Sequence, residues 1–176
     1  MNALMILCFG LLSTTLVYAK EVAGYRFEDY PATIYQGKKA SLKLTKNDDW
    51  WLFRTRIRDV HQDDTVSFAG NYMVGMWGCG TGCISGAMID KRTGKIYDFP
   101  VNIDYRCYSS EETPDDEDIF FYPDSRLLIT TSCEQDEDMD GYAKQTFTYF
   151  ISVWNEKSKT FKSIDKVKRT KTVKID

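Results

Sequence analysis

The stretch Tyr72-Met73-Val74-Gly75-Met76-Trp77-Gly78-Cys79-Gly80-Thr81-Gly82-Cys83-Ile84-Ser85-Gly86-Ala87-Met88-Ile89-Asp90-Lys91-Arg92-Thr93-Gly94-Lys95-Ile96 decides the fold. Phe68, Tyr72, Val74 and Met76 set against Met73 and Trp77 predict a strand, and Ile84 to Asp90 predicts a second one across the glycine-rich cysteine turn. Asp90-Lys91-Arg92-Thr93-Gly94-Lys95 then reads as a hairpin, because Gly94 can take the positive φ that closes a type I turn with a bulge. Ile96 to Val101 is the returning strand.

The pattern continues in both directions. Pro31 to Thr45 alternates around Gln36-Gly37 and predicts a further strand pair. Trp50, Phe53, Ile57 and Val60 recur at intervals of three and four behind Asn47, Asp48 and Asp49, which predicts a helix of about three turns ending near His61, capped by one of those three residues. Downstream, Ile119 to Tyr122 pairs with Arg126 to Ser132 through a Pro123-Asp124-Ser125 turn, and Thr146 to Trp154 pairs with Thr160 to Ile164. The expected architecture is α+β, mainly antiparallel β-sheet or half-barrel with one N-terminal helix, stapled by disulfides.

Residues 1–19 carry no charged side chain and hold an apolar run from Leu4 to Leu12, with Val17 and Ala19 as the small residues ahead of Lys20. This is the make-up of a signal peptide: the run is too short to span a bilayer, and cleavage before Lys20 is expected. Cys8 lies too early for a lipoprotein cysteine. Residues 20–176 then form a single β-rich domain with a basic C-terminal tail, placed in the periplasm or secreted. In an oxidising compartment Cys79, Cys83, Cys107 and Cys133 read as two disulfides, with three pairings open. Cys79 with Cys83 and Cys107 with Cys133 is favoured, since the first pair closes the small glycine loop.

The net charge of −3 conceals a marked asymmetry. Between Glu111 and Asp140 twelve carboxylates face only Arg126, whereas Lys157, Lys159, Lys162, Lys166, Lys168, Arg169, Lys171 and Lys174 crowd the end. The basic stretch reads as a solvated tail, and an exported protein has no nucleic acid to meet.

The strand Phe68-Ala69-Gly70-Asn71-Tyr72, the turn Trp77-Gly78-Cys79-Gly80-Thr81-Gly82-Cys83, the hairpin Asp90-Lys91-Arg92-Thr93-Gly94 and the strand Ser125-Arg126-Leu127-Leu128 together resemble an uncharacterised family of small exported bacterial β-rich proteins. The resemblance runs from about Phe53 to Trp154. It implies export and fold, and it implies no activity. The two acidic segments depart from that pattern.

Four constellations could carry chemistry. The three glycines of the cysteine turn leave amides bare for a recognition loop, but no phosphate-loop lysine follows and a strand, not a helix, comes next. Asp136-Glu137-Asp138-Met139-Asp140-Gly141 copies the first half of a calcium loop, with Phe147 where the bidentate glutamate belongs, so Glu134 or the 111–118 segment would have to complete the shell. Nucleophilic catalysis has little to draw on: His61 is the only histidine, the mature cysteines are expected to be oxidised, and no Gly-x-Ser-x-Gly elbow occurs. Finally, Ser85-Gly86-Ala87-Met88-Ile89 resembles the Ser-Gly-x-x-Tyr loop of some periplasmic lysozyme inhibitors, with Ile89 in place of the tyrosine.

These features favour a non-enzymatic binding protein without a cofactor, an inhibitor or immunity protein that neutralises a toxin or cationic cell-wall hydrolase. Its contact residues are expected at Thr81, Ser85, Asp115, Asp116, Glu117, Asp118 and Glu137. The alternative class is a calcium-binding or structural envelope protein, with Asp136, Asp138 and Asp140 as ligands. Neither class implies stable membrane insertion once the leader is removed.

Overall fold

The structure, a computed structural model, describes residues 20–80, 83–101, 107, 118–137 and 141–174, with only the backbone of Cys83 and Glu137. The expected leader and its cleavage point, Thr81, the acids Asp115, Asp116 and Glu117, and Asp138 and Asp140 lie outside the described residues.

Antiparallel sheets and one short helix make up the described chain. A small hairpin pairs β1 (Glu21–Val22) with β2 (Tyr25–Arg26). The deciding stretch forms a three-stranded meander of β3 (Tyr72–Gly80), β4 (Cys83–Asp90) and β5 (Ile96–Asp98). A second meander contains β6 (Ile119–Phe121), β7 (Leu127–Glu137), β8 (Tyr142–Asn155) and β9 (Thr160–Lys174), in that spatial order.

Period-two alternation sends each strand's side chains to two different cores. Tyr72, Met88 and Val74 from the first sheet meet Leu128, Trp154, Ile119 and Phe121 from the second, so the sheets face each other across an aromatic layer. On the far side of the first sheet, Met73, Trp77, Ala87 and Ile89 pack against Ile57, Val60 and Phe53 of the helical segment. On the far side of the second, Leu127, Ile129, Phe147, Tyr149 and Ile151 pack against Phe27 and the β1–β2 hairpin. Gly75 marks where the helix presses closest, since a Cβ there would lie 2.2 Å from Val60 Cγ2.

Three expectations are corrected. The helix begins later than its apolar spacing suggests: Asp49–Phe53 is a 3-10 turn, and α1 runs Arg54–Asp63. Asp48 holds the N-cap position of that 3-10 turn, but its side chain makes no cap hydrogen bond, because its carboxylate accepts the backward-lying Thr45 amide instead. Pro31 to Thr45 forms no strand pair. Its amides go to three loops, Ala32 to the Asp124 carbonyl, Tyr35 to that of Gly70, and both Ala40 and Lys43 to the Asp90–Gly94 turn, at the carbonyls of Lys91 and Gly94, so it straps over the hairpin ends. The basic stretch is no tail: it is β9, paired residue by residue with β8 out to Tyr142↔Lys174. Its long side chains lie over the aromatic rings of β8, with Lys166 4.9 Å above Phe150 and Lys171 4.8 Å above Phe147. Lys162, Lys166, Lys168, Arg169 and Lys174 remain exposed along this edge strand.

The hairpin at Asp90 is as expected: its carbonyl accepts the Thr93 and Gly94 amides, and Gly94 has φ +72°. A Cβ on Gly94 would sit 1.9 Å from the Ser41 carbonyl oxygen, where the strap crosses. Gly94→Ala is therefore expected to cost at least about 2 kcal/mol, conformational strain plus displacement of the strap. Gly24→Ala, with φ +91° and open space around it, is the control for strain alone. Equal losses of thermal midpoint in the two variants would refute the strap contact.

Candidate functional site

Cys107 is bonded to Cys133, with Cα atoms 5.4 Å apart and a sequence separation of 26. Cys133 lies in β7, and its neighbours toward the hairpin are Glu134 and the exposed Asp136. At the other end of the acidic segment the Asp118 carbonyl accepts the Thr131 amide at 2.8 Å, again on β7. Cys107 and Asp118, the described residues that flank 108–117 in the sequence, are thus both joined to one strand.

The remaining expected residues scatter. Ser85 is half-buried in the β3–β4 ladder opposite Trp77, and Ile89 is fully buried, so the segment resembling an inhibitor loop is an internal strand. Cys79 is in a disulfide, and the side chain of Cys83, its expected partner, lies outside the described residues. Asp136 sits in the ladder opposite Lys144, and Phe147 is buried within β8. Among the described residues no cluster of three His, Cys, Asp or Glu side chains could hold a metal ion. The His61 ring bonds through Nε2 to the Ala40 carbonyl at 2.9 Å, which makes it a brace between the helix and the strap.

A polar cluster went unread in the sequence. The buried Asp90 carboxylate receives Arg92 through Nε at 3.1 Å and Nη2 at 3.0 Å. Arg92 also reaches Glu156 in the turn between β8 and β9, and Lys159 joins the same carboxylate. Tyr72 Oη donates to Glu156 Oε2 at 2.7 Å, and Trp154 Nε1 donates to the same oxygen at 2.9 Å. Lys159 Nζ donates to Tyr72 Oη at 2.8 Å. Lys159 takes φ +56°, a left-handed turn position where glycine is the cheaper residue, so its side-chain contacts compensate for backbone strain.

Burial and the bond to Glu156 push the Tyr72 hydroxyl far above its ordinary range, and the Asp90 contact raises the Arg92 guanidinium. Burial pushes the Glu156 carboxyl up, but hydrogen bonds from Lys159, Tyr72, Arg92 and Trp154 outweigh it and hold the group down at about 2. The contacts therefore hold Glu156 ionised and keep Tyr72 and Arg92 protonated at neutral pH.

A carboxyl lowered from 4.5 in the unfolded chain stabilises the fold fully above pH about 5, and that contribution drains away as the pH falls toward 2. With the Glu156 side chain 39% exposed, solvent screening reduces its worth to about 2 kcal/mol. Glu156→Gln is expected to melt lower at pH 7 and to show a shallower fall in Tm between pH 5 and 2.5. Parallel Tm curves for the two proteins would remove Glu156 from the acid response.

No family model, curated protein or solved structure matches the chain.

Proposed function

We propose that the protein is an exported, non-enzymatic binding protein, an inhibitor or immunity protein that neutralises a toxin or a cationic cell-wall hydrolase in the periplasm or outside the cell. The observation that carries this reading is that Cys107 and Asp118, which flank the acidic segment in the sequence, are both joined to β7, the strand that also carries Glu134 and Asp136. A cross-link in the core favours an oxidising compartment. Carboxylates concentrated in the sequence between two residues joined to one strand would steer a cationic partner toward that strand.

The reading is tested by passing the purified secreted protein over immobilised lysozymes and peptidoglycan amidases at low and high salt. Retention at low salt, release at high salt, and weaker retention of a Glu134→Gln, Asp136→Asn variant are expected, because exposed charges act through a screened field. Absence of retention at low salt would sink the reading.

A further inference from the structure

Phe68–Tyr72, Asp90–Gly94 and Ser125–Leu128 were singled out in the sequence, and the acidic-end reading uses none of them. In the fold they meet. The Ala69 amide donates to the Ser125 carbonyl at 3.0 Å, the Gly70 amide to that of Pro123 at 2.7 Å, and the Lys91 amide to that of Asn71 at 2.8 Å. Between them opens a cleft of about 300 Å³, to which the first stretch contributes Ala69 and Asn71, the second Arg92 and the third Arg126. Glu156 and the strap residues Ala32 and Thr33 complete the wall.

The wall is held in place. Gly70 has φ +76°, and a Cβ on it would lie 2.2 Å from the Thr33 carbonyl oxygen, so the turn and the strap touch through bare backbone. Ala69 takes φ +45°, a left-handed conformation that is costly for a residue with a Cβ.

The two guanidinium groups of this cleft differ. Arg92 is committed to Asp90 and Glu156. Arg126 makes two long contacts to carbonyls, Nε to Pro31 at 3.3 Å and Nη1 to Trp154 at 3.4 Å, and has no carboxylate partner among the described residues. A guanidinium presents five N–H donors in a planar fork, so most of the donor capacity of Arg126 is unspent. Among the charged groups that line the cleft, Arg92 and Arg126 against Glu156 leave one positive charge in excess, which suits a single monoanion better than a phosphate dianion.

We propose that this cleft binds one carboxylate group, recognised by Arg126 through paired N–H donors. A small organic acid and the free C-terminus of a peptide share this chemistry.

The test is an amide and guanidinium chemical-shift titration of the isotope-labelled protein with acetate, with acetylated trialanine bearing a free carboxylate, and with its C-terminal amide. Shifts at Ala69, Asn71 and Arg126 Nε with either acid, and none with the amide, are expected. Shifts with acetate point to a small acid, and shifts with the peptide acid alone point to a chain terminus. Arg126→Gln, which keeps donors for the two carbonyls but loses the charge, should weaken binding at least about tenfold. Should Arg126→Gln fail to fold, Asn71→Asp places a competing carboxylate in the wall and should abolish the same shifts. Equal shifts with acid and amide, unchanged binding in a folded Arg126→Gln or in Asn71→Asp, or no shifts at all would overturn the proposal.

Discussion

Trp154→Ala is expected to lower the free energy of unfolding by about 4 kcal/mol, the range for emptying a fully buried large aromatic site. Trp154 is 1% exposed and sits where the sheets meet, with ring centroids 5.2 Å from Tyr72, 5.0 Å from Phe161 and 5.9 Å from Tyr97. Its Nε1 is also one of the donors that hold Glu156 ionised. The substitution therefore opens a cavity and loosens the charge cluster together, and Tm should fall by about 10 °C for a chain of this size. Trp154→Phe keeps most of the ring and should lose roughly half as much. Urea unfolding midpoints of the three proteins separate the contributions; a loss under about 2 kcal/mol in the alanine variant would mean that the sheets do not depend on this ring.

Breaking the Cys107–Cys133 bond is the second large effect. For a sequence separation of 26 the chain-entropy estimate is about 3.5 kcal/mol. Cys107→Ser with Cys133→Ser should thus unfold at markedly lower urea, and dithiothreitol should bring the native protein to a comparable point. The same variant releases Cys107 from β7, so salt-sensitive retention on a cationic hydrolase should fall while the Asp118–Thr131 bond stays. Unchanged stability on losing both thiols would show that the bond constrains little that the sheet does not already hold.

Much of the strand content was legible because burial imposes a period of two: the alternation through Tyr72–Trp77, Ile84–Asp90 and Thr146–Trp154 is present in the residues themselves. The Asp90–Gly94 turn was legible because a positive φ selects glycine. What was not legible depends on partners distant in sequence. Thr160–Ile164 was legible as a strand, but the rest of β9 looked like a tail because charge masked the alternation of Val167, Arg169, Lys171 and Val173; only β8, with rings to support the alkyl stems, makes that alternation a strand. Pro31–Thr45 alternates equally well and is no strand, since the amides of Ala32, Tyr35, Ala40 and Lys43 are spread over three different loops. The Asp90–Arg92–Glu156–Lys159 cluster joins two hairpins 64 residues apart, and nothing in either hairpin announces the other. The two acidic segments were both visible, but the joining of Cys107 and Asp118 to one strand, β7, was not.

The border position of β9 governs how copies of this protein treat each other. Two molecules approaching along that border would bring like-charged ammonium and guanidinium groups to within about 5 Å, and repulsion discourages the shared ladder from which fibres grow. Charge that looks superfluous along Lys162–Lys174 keeps a long open ribbon from recruiting its own kind.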